Sequence, residues 1–295
     1  MAAVCAVSIA LGLIGCGGSA DAATGANFSA PEHVATATFD SDAAQTSNGA
    51  SIDISSVNDG YVGAAAQSSA KLKFLVSSGQ ATYNYDLPQD GTPIICPLTF
   101  GDGSYVFRVM QNTSGDNYVE LARATAEVTL TSEFAPYLVP NVYCDFAEDS
   151  DCVAKARDLT SDATNEGEAL EKICQWIVDN VDYDSAKAKQ LKESTGYVPD
   201  PDTTLSSKTG ICFDYASLGA AMLRSVGIPT KIVCGYVSPD NIYHAWIMVY
   251  IDGTWTSAQF NVESKTWSRV DLTFAASGDN ENVGDGKDYT DRYVY

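Results

Sequence analysis

The chain has 295 residues, 45% of them hydrophobic, which is enough for two domains with cores of their own and too apolar for a wholly disordered protein. Its 17 Lys and Arg stand against 38 Asp and Glu, a net charge of −21. That balance excludes nucleic acid as a partner, because a phosphate backbone needs a basic surface, and it leaves the substrate class open.

Residues 1–16, MAAVCAVSIALGLIGC, form an apolar run too short to span a bilayer as a mature helix and are followed by small residues, the pattern of a secretory signal. No Lys or Arg precedes the run, a departure from the usual basic lead-in. Its end, Leu13-Ile14-Gly15-Cys16, resembles the bacterial lipobox. The resemblance implies a lipid on Cys16 and an extracellular protein anchored to the bacterial cell membrane. Residues 17–31 read as a flexible tether of small side chains.

Residues 32–140 are rich in alternation. KLKFLV (71–76), ATYNYDL (81–87), GSYVFRVMQ (103–111) and AEVTLT (126–131) each place a large side chain at every second position, as half-buried strands do. Ser78-Gly79, Asp90-Gly91, Gly101 to Gly103 and Ser114-Gly115 mark turns between them. The expectation is an antiparallel β accessory domain. It carries no histidine beyond His33, no paired carboxylates and no phosphate loop, so its role is binding, spacing or support.

From Asn141 to the end at 295 the pattern changes. In EGEALEKICQWIVDNVDYD (166–184), Leu170, Ile173, Cys174, Ile177, Val178 and Val181 fall on one helical face. A Pro/Gly/Asp/Thr loop follows, then a second helix from about Cys212 to Val226, stopped by Gly227 and Pro229. TKIVCGYV (230–237) and YHAWIMVYIDG (243–253) read as strands, and DGTW (252–255) with SKTWSRVDLTF (264–274) as a further hairpin. The residues from Ser277 on form an acidic tail up to a closing Tyr-Val-Tyr.

Cys212 stands at the start of a helix, where free backbone N–H groups favour a negative charge and lower a thiol's pKa. A thiolate nucleophile needs a group that takes and returns a proton, and His244 is the one histidine placed to do so, since His33 lies beside the tether. The imidazole needs an anchor, and Asp271 is preferred over Asp252, whose Asp-Gly pair reads as a turn. The Cys212 N–H supplies one oxyanion donor, with Gln175 and Tyr183 as alternatives for the second. Trp246, Trp255 and Trp267 read as core and cleft wall. Among the thiols, Cys174 and Cys234 sit in apolar patterns, while Cys144 and Cys152 bracket an acidic loop and make the best disulfide pair. No His/Cys spacing fits zinc, Asp200 and Asp202 read as loop acids, and no metal or cofactor is expected.

Five blocks together resemble the transglutaminase-like family. They are Gly210-Ile211-Cys212-Phe213-Asp214-Tyr215-Ala216, Leu223 to Pro229, Gly235-Tyr236, His244-Ala245-Trp246, and Trp267 to Asp271-Leu272-Thr273. The resemblance covers about residues 141–277 and implies a papain-like α+β domain behind the β domain, with Cys212, His244 and Asp271 as its triad. Leu272 stands where the family often has proline, and Ile247-Met248 where a polar or acidic residue is frequent. The implied activity is cysteine-dependent acyl transfer on peptide or protein amides, cell-wall peptides among them, through a thioester. Hydrolysis is preferred to crosslinking because no feature specifies an amine acceptor. The competing reading is a catalytically silent surface-anchored binding or adhesion protein, which a Cys212 bridged to Cys174 or Cys234 would favour.

Overall fold

A computed structural model describes residues 22–192, 194–238, 241–257, 259–277 and 289–295. The lipobox and Cys16 lie outside these residues. The architecture is mixed α+β, with an N-terminal half built of antiparallel sheets and a C-terminal half that combines helices with further antiparallel sheets.

Alternation builds the first half. In Leu72–Ser78, Leu72, Phe74 and Val76 are buried while Lys73 and Leu75 are partly exposed, and in Gly103–Ser114 Tyr105, Phe107 and Val109 are buried. These strands belong to a four-stranded antiparallel sheet ordered Ala81–Leu87, Leu72–Ser78, Gly103–Ser114, Asn117–Val128. A second sheet is ordered Gln45–Ser47, Ala50–Asp53, Tyr61–Ala66, Ile94–Pro97. Ile52, Val62 and Ala64 of the second join Phe74, Phe107 and Val109 of the first in one core. Each large apolar side chain so buried contributes about 1.5–3 kcal/mol. The expected strand at 126–131 ends at Val128, because the next amides leave the ladder: Leu130 N–H goes to Asp102 Oδ1 at 2.8 Å and Thr131 N–H to Asn58 O at 2.8 Å.

Among the described residues six helices follow: α1 Asp151–Thr160, α2 Glu166–Asn180, α3 Ser185–Leu191, α4 Pro201–Ser207, α5 Cys212–Ser225 and α6 Leu272–Ser277. Asn165 caps α2 by accepting from Glu168 N–H at 3.0 Å, and Leu170, Ile173, Cys174 and Ile177 form its buried stripe. Every α5 residue from Asp214 to Ser225 is buried, as befits a central helix with apolar side chains on all faces. It packs on a four-stranded antiparallel sheet ordered Ser268–Val270, Ile242–Val249, Thr230–Val237, Tyr289–Val294. Gly227, at φ 88°, ends it. Among the described residues no helix is long and apolar enough to cross a membrane.

Several segments differ from the sequence expectation. Part of the expected tether is a strand: Ala22–Gly25 pairs with Gly253–Thr256, and Phe28 N–H bonds Thr164 O at 3.1 Å. Glycines make this close approach possible; a Cβ on Gly167 would lie 2.4 Å from Thr24 O. The segments 252–255 and 264–274, expected to pair as a hairpin, belong to different sheets: Gly253–Thr256 to one, and Ser268–Val270, a short strand running straight into α6, to another. Cys144 and Cys152 are both buried and free. Cys144 lies in a local bridge with Asn141, Cys152 sits in the first turn of α1 with its N–H on Asp202 Oδ1 at 2.8 Å, and both fill the core as small hydrophobes. Asp202 thus caps α1, and Asp200 caps α4 through Thr203 N–H at 2.7 Å.

The acidic stretch 278–288 lies outside the described residues. Beyond it the chain re-enters the fold, and Tyr289–Val294 forms the edge strand next to Thr230–Val237. This strand also ties the two halves together. Thr99 Oγ1 donates to Val294 O at 3.0 Å, Val294 N–H to Tyr83 Oη at 3.0 Å, and Tyr83 meets Tyr293 edge-on at 5.3 Å. Arg224, fully buried in α5, donates to the carbonyls of Val139, Thr230 and Tyr295 at 2.8, 2.9 and 3.0 Å, joining the linker, the sheet and the last strand at one guanidinium.

Candidate active site

Three elements bring Cys212, His244 and Asp271 together. Cys212 is the first residue of α5, follows Ile211 in extended backbone, and is partly exposed. His244 lies on Ile242–Val249 and is 5% exposed; Asp271, 1% exposed, stands between Ser268–Val270 and α6. His244 Nε2 is 2.8 Å from Asp271 Oδ2, and the Cys212 side chain lies near enough to the ring to influence its charge. With Nε2 on the carboxylate, Nδ1 is the nitrogen left for the sulfur. Burial works against a charged ring, but the Asp271 carboxylate and the Cys212 sulfur outweigh it and raise the His244 pKa to about 10. The arrangement therefore favours an imidazolium, the partner that a thiolate requires.

Cys212 is free, with neither Cys174 nor Cys234 bridged to it. Cys234 is buried, and burial first, then the nearby Cys212, pushes its thiol well above the ordinary range. It does not compete as a nucleophile.

The start of α5 is held by a residue the sequence reading passed over. Asp214 is fully buried and accepts Ile211 N–H at 2.8 Å, Lys187 Nζ at 2.7 Å and the Tyr197 hydroxyl at 2.5 Å. An unpaired carboxylate two residues from Cys212 would oppose a thiolate; the Lys187 ammonium offsets it. Gly210 makes room for this carboxylate, since a Cβ there would lie 2.6 Å from Asp214 Cβ. An acid at the third helical position is a legible helix-start signal. Lys187 and Tyr197 come from α3 and the following loop and carry no such mark.

Of the second-donor candidates, only Tyr183 comes near the thiol. Asp182–Tyr183 runs parallel to Thr209–Gly210, with Tyr183 opposite Gly210, and the phenol is 45% exposed. Burial and then the Cys212 sulfur raise its pKa. Gln175 is not directed to the site; its amide donates to Asp179 Oδ1 at 2.9 Å on the same helix. Trp246 is 2% exposed, two residues along from His244 on the same strand face, stacked at 6.3 Å from the imidazole, and packed with Val233 and Val237. It is a support behind the histidine.

Phe274, also unforeseen, stacks on the imidazole at 4.5 Å and 14°. It reaches that position because Asp271 Oδ1 accepts Phe274 N–H at 3.1 Å and starts α6, an N-cap pattern readable in Asp-Leu-Thr-Phe. Leu272 occupies the first position of α6, where a proline would also fit, and Ile247 faces inward: both side chains would meet a Cβ placed on Gly219 of α5. His33 is exposed and lies beside Glu148, apart from the site.

A deeply packed helix with a cysteine at its start, facing a strand histidine anchored by an aspartate, defines a papain-like arrangement. Residues 153–271 match the transglutaminase-like superfamily, so this part of the chain is a transglutaminase-like domain. UPF0252 protein MJ1282 of Methanocaldococcus jannaschii is 32% identical over 94 residues, covering 29% of this chain and 27% of that protein. The kyphoscoliosis peptidase of Mus musculus is 31% identical over 128 residues, covering 39% of this chain and 18% of that protein. The chain thus spans under a third of the length of either relative. Among solved structures, a Cytophaga hutchinsonii protein proposed to be a cysteine protease superposes with TM-score 0.36 at 15% identity, covering 85% of this chain and 90% of that one. Red sea bream transglutaminase superposes with TM-score 0.29 at 13% identity, covering 66% and 47%.

Proposed function

We propose that the chain is a cysteine-dependent acyl-transfer enzyme acting on peptide or protein amides, with hydrolysis as its main outcome. The observation that carries this is the convergence of Cys212, His244 and Asp271 from three elements, with the histidine 2.8 Å from the aspartate and close to the thiol. The Cys212 thiolate attacks the carbonyl carbon, and the oxyanion meets the Cys212 N–H, one of the unpaired donors at the helix start. Collapse breaks the C–N bond as the His244 imidazolium gives its proton to the departing amine, leaving a thioester. Water then yields a proton to His244 as it attacks the thioester, and the acid leaves as the thiolate reforms.

A peptidase reading is supported by the name of the murine relative and by the presence of a partly exposed thiol that no disulfide blocks. The test is a peptide library incubated with wild type and Cys212→Ala, with and without a primary amine, read by mass spectrometry. Cleavage products that require Cys212 and persist without amine support hydrolysis. Adducts formed only with amine would make the enzyme a crosslinker, and no Cys212-dependent product at all would return the silent binding protein.

The proposal also places the protein outside the cytoplasm, held to the membrane by a lipid on Cys16. Labelled palmitate should enter the protein expressed in bacteria and be lost in Cys16→Ser; labelling that survives the substitution contradicts it.

A further inference from the structure

The carboxylate of Asp271 is held by more than the histidine. Oδ2, which is 2.8 Å from His244 Nε2, also accepts from the Tyr289 hydroxyl at 2.9 Å, while Oδ1 takes the Phe274 amide. Tyr289 lies 18 residues further along, on the edge strand Tyr289–Val294. That strand pairs with Thr230–Val237 and not with the strand that carries His244.

The phenol is fixed by its surroundings. The Arg269 guanidinium sits 3.7 Å from the ring centroid, and Trp246 meets the ring edge-on at 4.9 Å. A cation against the ring makes the hydroxyl a stronger donor. Gly235 lets the strand close in, because a Cβ there would lie 2.1 Å from Thr290 O and 2.8 Å from Trp246 Cη2.

We propose that Tyr289 is a positioning residue of the active site, its hydroxyl holding Asp271 Oδ2 so that the C-terminal strand completes the His244–Asp271 pair. The proposal rests on the reading of Cys212, His244 and Asp271 given above. A carboxylate with one more donor has less freedom to turn away from the imidazole. Held in that place, it sustains the imidazolium and the thiolate opposite it. Because Tyr83 bonds the same strand through Val294, the N-terminal domain helps to seat this anchor.

Among the described residues, the groups that face the pair are Cys212 from α5, Tyr183 and Cys234 near that thiol, and Tyr289 on Asp271 with Arg269 against its ring. Tyr289→Phe in the full chain deletes the donor and keeps the ring against Trp246 and Arg269. The readout is the pH profile of Cys212 alkylation by iodoacetamide, located by peptide mapping, with a thermal melt on the same sample.

The acid limb of the profile should move up by about one pH unit, and the rate near neutrality should fall by about tenfold. In an Asp271→Asn background the same substitution should cost less than about twofold, because its target is already changed. A Tyr289→Phe profile that superimposes on the wild type overturns the proposal, as does a fully additive loss in the Asp271→Asn background, the mark of a merely structural role. A wild-type Cys212 no more reactive than an ordinary thiol would instead overturn the nucleophile reading beneath it.

Discussion

His244 Nε2 and Asp271 Oδ2 lie 2.8 Å apart, in a pair of which neither partner is more than 5% exposed. Their attraction is little screened by solvent, and removing one partner leaves the other buried without its counterpart. Asp271→Asn preserves shape but withdraws the charge that favours the imidazolium. It should lower kcat/KM on a cleaved peptide by about a hundredfold or more, with the loss mainly in kcat. Steady-state kinetics on the variant decide this, and an unchanged kcat removes Asp271 from the site.

The same pair makes stability depend on pH. The folded His244 pKa, about 10, lies above its ordinary value of 6.5, so protonation favours the folded state. Its contribution is fully present below the unfolded value and is lost as pH rises from about 6.5 through about 10. Denaturant melts over this window should show wild type losing stability more steeply than His244→Ala. Parallel curves would contradict the shift.

Asp214 joins Ile211 N–H, Lys187 and Tyr197 while fully buried. Asp214→Ala orphans three donors at the start of the helix that carries Cys212 and should destabilise the protein by about 3 kcal/mol, as breaking a buried pair does. Alkylation of Cys212 should slow in the fraction that remains folded. A melt within about 0.5 kcal/mol of wild type would show the network to be dispensable.

Sequence made the main elements of the second half legible because their signals are local. The apolar stripe Leu170, Ile173, Cys174 and Ile177 predicts α2, and Gly227 with Pro229 predicts the end of α5. Cys212, His244 and Asp271 could be named together because five short blocks occur in one order. What stayed hidden depends on contacts between distant segments. Nothing near Tyr289 marks it as a partner of Asp271, and nothing in 22–31 marks a strand whose partner lies at Gly253–Thr256. Gln175 and Trp246 misled for a related reason: residue type and approximate place were right for a cleft, but Asp179 claims the amide and the strand's alternation turns the indole into an apolar cluster. The Cys144–Cys152 pairing drew on the habit of secreted proteins, whereas both thiols serve as core filling.

Gly235 is where the sheet admits its last strand. A methyl group there would meet backbone, Thr290 O at 2.1 Å, which cannot swing aside as a side chain could. Gly235→Ala should therefore unseat Tyr289–Val294, expose amides of that strand to hydrogen exchange, and reduce Cys212 reactivity while α5 stays protected. Exchange rates equal to wild type across 289–295 would contradict the role given to this glycine.

The most direct measurement is the rate at which native protein is alkylated near pH 6, resolved by cysteine. Cys96, Cys144, Cys152, Cys174 and Cys234 are buried, which leaves Cys212 as the accessible thiol among the described residues. Paired with an imidazolium it should react about a hundredfold faster than an ordinary thiol at that pH, and His244→Ala should abolish the difference. A Cys212 that stays unmodified in the folded protein, or reacts no faster than the same cysteine in urea, would contradict the account.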